Sequence, residues 1–465
     1  MLKDLAQTLF DKLWDSHHIK TLDNGESLIA IDRVFLHERT GSVALQSILN
    51  SARSPRAPET VFATIDHIVS NDSGRSQNQA RMPGGEAFIK ATRSAAKATG
   101  INLIDVMDAD QGIVHVISPE LGIAQPGLTL VCPDSHTCSQ GALGALAWGI
   151  GSTDAEHAIV TGTLRVKKPP QMRIILNGEL GSGVSAKDVA LHIIAKFGAA
   201  GGQRCAIEYS GSVIDAMSVE ARLTLCNMAV EFAAFTAVIA PDEITKDYLE
   251  GRKYSPKGKK LHAATQDWKN LKTDTDAVFN FEYTLDAADI SPTVTWGISP
   301  EQAIPLGAVV PKSEDRNALS YMGLAGGEAL SSLSIGGAFI GSCTNARLSD
   351  LRLAASILKG RKVAPNVTAI CVPGSRAVSR AAEEEGLDKI FEQAGFEWGT
   401  AGCAFCFYAG GKTFPSGTRV VSSTNRNFKG RQGPGVRTHL ASPAVVAASA
   451  IAGVICGPDN LEALS

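Results

Sequence analysis

Long apolar runs are missing from this 465-residue chain, and no window reaches the roughly 18–20 uninterrupted apolar residues that a membrane span requires. An excess of either charge is missing too. Lys and Arg number 44 against 47 Asp and Glu, a formal net charge of −3, which gives no electrostatic reason to expect a nucleic-acid partner. The one basic block, Lys257-Gly258-Lys259-Lys260, follows Pro256 and reads as a solvated loop. A targeting segment is not evident. MLKDLAQTLFDKLW carries Asp4 and Asp11, and its Leu2, Leu5, Leu9, Phe10 and Leu13 share one helical face instead of building an apolar core. The nine cysteines are odd in number and scattered, unlike a secreted disulfide framework. Together these absences point to the cytosol, where thiols stay reduced.

What is present is a globular composition, 44% apolar and 20% charged, in a chain long enough for two to four domains. Short β-branched runs alternate with Ala-rich helical stretches. LTLVCPDSH reads as a strand entering a polar loop, and GALGALAWGIG after it as a small-residue helix. MRIILNG is a strand, and SAKDVALHIIAKFG an amphipathic helix with Ser185 as N-cap and Gly198 as stop. GAFIGSCTN with ARLSDLRLAASILKG, and VTAICVPGS with RAVSRAAEEEG, repeat the strand–turn–helix plan. This alternation predicts an α/β architecture with largely parallel sheets, in which functional groups collect at the carboxyl ends of strands. Residues 251–276 lose the periodicity and read as a linker or surface excursion. Boundaries near 170 and 315 divide the chain into 1–170, 171–315 and 316–465.

Three cysteines stand out. Cys343 in GSCTNARLSD sits where a strand turns into a helix, a place that favours thiolate. Cys403 and Cys406 form a Cys-x-x-Cys pair in GTAGCAFCFYAGG. A lone pair of this kind serves zinc, redox exchange or a cluster. Structural zinc wants a second CxxC or HxxxH partner, which is missing. A redox site often carries a proline between its thiols, and here Ala404-Phe405 intervenes. Three thiolates on a four-iron cluster would leave one iron open to substrate oxygens.

The polar inventory agrees with that last reading. TIDHIVSND contains Asp66 and His67, VCPDSHT contains Asp134 and His136, QGIVHVI contains His115, and CAIEYSG contains Glu208 inside an apolar strand. Acid–imidazole pairs fix a tautomer and relay protons. Taken singly, His115 or Glu208 reads first as a satisfied structural residue. SSTNRNFKGRQGPG adds Asn425, Arg426 and Arg431 in a loop too polar for a core, and forked guanidiniums suit carboxylates. Iron, acid–base pairs and arginines describe a site for a small hydroxy-polycarboxylate.

DSHT, GSCTN, GCAFC and NRNFKGRQG occur in the order and at about the separations of the aconitase superfamily, and the chain resembles that family over essentially its whole length. It looks most like the large chains of the two-subunit members, hydro-lyases of hydroxy-dicarboxylates. The resemblance implies three α/β domains surrounding a [4Fe–4S] cluster, one per subunit, held by Cys343, Cys403 and Cys406. It pairs Asp66 with His67, Asp134 with His115, and Glu208 with His136 near the substrate. It places Ser135, Asn425, Arg426 and Arg431 around the cluster and substrate carboxylates. A fourth, mobile domain carrying the base would come from a separate small subunit. An iron-sensing RNA-binding role, known among relatives, fits the near-neutral charge poorly, and a zinc or redox CxxC protein leaves Cys343 unexplained. The chain departs from the resemblance at Phe407-Tyr408-Ala409-Gly410-Gly411, at Val420–Ser423 and in CPDSHTC, which adds Cys138.

Overall fold

The structure, a computed structural model, describes residues 6–312 and 315–461. The opening helix runs Leu9–His17 and buries Leu9, Phe10 and Leu13, while Leu2 and Leu5 lie outside the described residues. Thr8 caps it, accepting from the Asp11 amide while the Asp11 carboxylate accepts from Thr8 in turn.

The chain then builds three parallel sheets in succession, and each winds the same way. The first has Arg33–His37, Val61–Thr64, Asn102–Ile104, Thr129–Cys132 and Leu146–Gly149, with the third of these strands at one edge and the fifth at the other. Numbered within the sheet, the spatial order is 3-2-1-4-5. The second, from Gln171–Asn177, Ala206–Ser210, Thr236–Val238 and Phe281–Asp286, runs 3-2-1-4. The last, from Gly337–Ile340, Thr368–Cys371, Phe396–Trp398, Arg419–Ser422 and Arg437–Leu440, is again 3-2-1-4-5. In each sheet the chain reverses direction between strands 1 and 4, and loops leaving the carboxyl ends there diverge and open a crevice. Central strands such as Val61–Thr64 and Gly337–Ile340 are buried throughout, as parallel strands covered on both faces must be. A three-stranded and a two-stranded antiparallel sheet complete the strands among the described residues.

The expected parallel α/β plan is what the chain forms, with local corrections. Ser185 caps Ala186–Phe197 together with Asp188, and Gly198 ends that helix at φ 80°. GALGALAWGIG is not a helix. A 3-10 segment Ser135–Leu143 stops at Gly144, whose φ of 76° turns the chain into the strand Leu146–Gly149. Residues 251–276 hold the helix Lys259–Trp268, with Trp268 buried. No helix among the described residues is long and apolar enough to cross a membrane.

Candidate active site

The carboxyl ends of the first sheet supply acids and imidazoles. Asp66 and His67 follow strand Val61–Thr64, Asp134 follows Thr129–Cys132, and His115 lies on the crossover helix Val114–Glu120. His67 Nδ1 is 2.7 Å from Asp66 Oδ1, and its Nε2 is 3.3 Å from Asp134 Oδ2. The other Asp134 oxygen takes His115 Nε2 at 2.9 Å and the His136 amide at 2.8 Å. The result is one continuous chain, Asp66–His67–Asp134–His115. Asp66 is held by the Val114 amide at 3.0 Å, at the free N-terminal end of the crossover helix.

Burial by itself would raise the pKa of Asp134, yet its imidazole neighbours, His115 foremost, hold it well below the usual carboxylate range. Burial would lower His67, but the flanking Asp66 and Asp134 push it well above its ordinary value. The two carboxylates therefore favour the protonated form of the ring between them.

Two neighbours complete this half. Glu38, directly after strand Arg33–His37, accepts from the amides of Asp66, at 3.1 Å, and Ile68. Burial, with Asp66 beside it, raises Glu38 to about 7. His37 stacks on His67 with ring centroids 3.8 Å apart and an interplanar angle of 17°. Neither stood out in the sequence, although an acid and an imidazole closing an apolar run (FLHERT) is the same signal that Asp66 and His67 carry.

The carboxyl ends of the last sheet supply the thiols. Cys343 follows strand Gly337–Ile340, and Cys403 and Cys406 bracket a single turn after Phe396–Trp398. All three pack in one buried cluster with Ile68, Ile113, Val116 and Phe407. The turns that aim them hold Ser342 at φ 87° and Ala404 at φ 45°, a left-handed backbone that costs a residue with a Cβ about 1–2 kcal/mol. Cys343 Sγ accepts from Asn227 Nδ2 at 3.2 Å and Asn425 Nδ2 at 3.4 Å. Cys403 Sγ lies 3.7 Å from Asp66 Oδ2 and 3.8 Å from the His67 nitrogens, so thiols and acid–base chain touch. Burial pushes Cys343 up to about 12, whereas a hydrogen bond from Cys403 draws Cys406 down to about 6, helped by Ser342, Arg431 and His67. Lys187, fully buried, donates to the carbonyls of Ser423 and Thr424 and ties the second sheet's first helix to the loop carrying Asn425.

The pairing expected for His136 is corrected. Its Nε2 is 2.7 Å from Glu231 Oε1, not near Glu208. Arg426 Nε reaches the same carboxylate, 2.8 Å from Oε1 and 3.0 Å from Oε2. Glu208 stands mid-strand on the face toward the opening helix, where the Thr273 hydroxyl donates to it at 2.5 Å. Strand alternation decided the matter: the side chain emerges on the face that packs Leu9, away from the crevice. Of the other expected residues, Ser135 lines a cleft with Asp134, and Asn425 serves the Cys343 sulfur. Arg431 lies beside the Phe407 ring, its guanidinium carbon 5.8 Å from the centroid.

The donor set fits a group bound through three thiolates. The three cysteines are free, buried and together, and the two amides on Cys343 are the hydrogen bonds that sulfur ligands of iron clusters receive.

Residues 11–453 match the aconitase family (aconitate hydratase), and the chain belongs to that family and so to the hydro-lyases. It is 46% identical to the 3-isopropylmalate dehydratase large subunit 1 of Bradyrhizobium diazoefficiens over 467 aligned residues, which cover 98% of this chain and 97% of that protein.

Proposed function

We propose that this chain is the large subunit of an iron–sulfur hydro-lyase of the cytosol that interconverts 3-isopropylmalate and 2-isopropylmalate by reversible dehydration, as in leucine biosynthesis. The observation that carries the reading is the Asp66–His67–Asp134–His115 chain in contact with the Cys403 thiol, acid–base groups and cluster ligands sharing one crevice. The units 1–170, 171–315 and 316–465, each around one parallel sheet, enclose that crevice.

A [4Fe–4S] cluster held by Cys343, Cys403 and Cys406 would supply Lewis acidity toward the substrate's hydroxyl and carboxylate oxygens. The chain's own residues do the rest. His115, backed by Asp134, moves a proton between its ring and the departing or returning hydroxyl. His67, kept protonated by Asp66 and Asp134, steadies negative charge in the crevice. The His136–Glu231–Arg426 chain orients Arg426, which with Ser135, Asn425 and Arg431 holds the carboxylates. The base that takes the carbon-bound proton comes from a separate small subunit, which also closes the crevice against water.

Maleate, citraconate and dimethylmalate present the same carboxylates and suit the same mechanism. The test is an anaerobic assay of the large chain, with and without the small subunit, against isopropylmalate and those acids. Turnover of isopropylmalate that requires both chains is the expected result; full turnover by residues 1–465 alone would relocate the base to this chain.

A further inference from the structure

Three guanidiniums surround the ring of Phe407, the residue that follows the last cluster cysteine. The guanidinium carbons of Arg39, Arg81 and Arg431 lie 4.8, 5.3 and 5.8 Å from its centroid. None of the three forms an ion pair among the described residues, although Arg426 close by is paired with Glu231. Arg81 Nη2 donates to the Phe407 carbonyl at 2.9 Å, but its Nη1 is buried without an acceptor, as is Arg431 Nε. An aromatic face attracts a cation but carries no charge to cancel it, so three guanidiniums on one ring repel each other until an anion joins them. Arg39 is different. It is exposed, and no side-chain hydrogen bond or ion pair holds it among the described residues. The ring also lies 5.8 Å, centroid to centroid, from His67, so an anion here sits beside the acid–base chain.

We propose that Arg39 and Arg81, arranged with Arg431 around Phe407, form a carboxylate-binding site that takes one end of the dicarboxylate substrate. The assignment rests on the hydroxy-dicarboxylate reading above and adds two residues to it. Its chemistry is that of a forked, charge-assisted contact, in which unpaired N–H groups of adjacent guanidiniums donate to the oxygens of a planar carboxylate. Phe407 gives the three guanidiniums one apolar neighbour, and a charged contact made beside an apolar ring is stronger than one made in water.

The test uses the holoenzyme, cluster-loaded large chain with its small subunit under anaerobic conditions, and two probes of equal carbon number, succinate and butyrate. The expected result is that Arg39→Gln and Arg81→Lys weaken inhibition by succinate about tenfold or more, the scale of a lost charge-assisted hydrogen bond, and leave the weaker inhibition by butyrate in place. KM for the hydroxy-dicarboxylate rises in parallel while kcat moves far less, because a contact present equally in ground and transition states acts on KM. Iron content per chain, measured on the same samples, shows whether Arg81→Lys has disturbed the cysteine loop, in which case Arg39→Gln carries the test. An unchanged succinate-to-butyrate ratio in Arg39→Gln overturns the proposal. So does a loss of small-subunit affinity with succinate binding intact, which would give the site to a carboxylate of the partner. Titration calorimetry of succinate into wild type and Arg39→Gln separates this from the functional reading: an inactive wild type that still binds succinate through Arg39 removes the reaction and keeps the site.

Discussion

The first and last sheets share one winding, 3-2-1-4-5, and carry their candidate site residues at the carboxyl ends of strands, yet they fix them by different means. Carboxylates in the first half anchor themselves. Asp134 accepts the His136 amide, Asp66 the Val114 amide, and Glu38 the amides of Asp66 and Ile68. Thiols accept hydrogen bonds weakly, so the last sheet aims its cysteines through the backbone, with Ser342 and Ala404 in the left-handed region. Across residues 33–149, only Ala52 is a non-glycine residue with positive φ, and it lies outside the site loops. A repeated winding positions loops, and the residue type in each loop decides how the local geometry is maintained.

The largest expected effect removes one side of this comparison. Cys343→Ser, Cys403→Ser and Cys406→Ser should each abolish iron retention, since a hydroxyl replaces thiolate poorly on iron. Cys371→Ala, Cys226→Ala and Cys456→Ala should keep iron at a cost of about 1 kcal/mol in thermal or denaturant unfolding. Iron per chain by metal analysis reads both sets, and full iron in Cys403→Ser would contradict the assignment.

Breaking the other side should leave iron in place. His115→Gln and Asp134→Asn nearly preserve shape, so turnover should fall about 10²-fold or more with the cluster retained, the scale of general acid–base catalysis. Near-normal turnover in both would return them to structural roles.

Glu38 tests whether self-anchoring matters. Glu38→Gln replaces one of two oxygens that accept backbone amides with a donor, and should destabilise the protein by about 1–3 kcal/mol. The loosened His67 loop should also lower turnover, by less than His115→Gln does. Denaturant unfolding alongside steady-state kinetics checks the order.

A pH series sharpens the picture further. Asp134, depressed in the fold, contributes stability that is present above about pH 4 and is lost as pH falls through its lower folded value. His67, raised in the fold, contributes stability fully present below about pH 6.5 and lost as pH rises through its higher folded value. The gap in melting temperature between wild type and Asp134→Asn should therefore be widest between those limits and narrow on either side.

The smallest effect concerns the corrected pair. Glu208→Gln keeps the Thr273 contact and should leave turnover within about twofold, whereas Glu231→Gln weakens the charge on His136 and Arg426 and should cost about tenfold or more. Equal losses would mean that Glu208 acts on the site from a distance.

Much of the site was legible because its residues announce themselves locally. Asp66, His67, Asp134 and His115 interrupt apolar runs, where an ionisable group needs a partner, and the cysteines sit at strand ends between small residues. Glu231 sends the same signal as Glu208, an acid among apolar neighbours, and nothing in either stretch ranks one above the other. Arg39 and Arg81 resemble any surface arginine until the fold brings them to Phe407.

By itself, then, the sequence determined the α/β alternation, the caps at Ser185 and Gly198, and the place of Cys343, Cys403 and Cys406 in loops at strand ends, because hydrophobic period, helix ends and turn chemistry are set by neighbours a few residues away. Only the tertiary structure decided that His136 meets Glu231, 95 residues on, and that three arginines share one ring. Such meetings depend on which face of a strand or loop a side chain leaves from and on how separately wound sheets pack, and no local spacing encodes either.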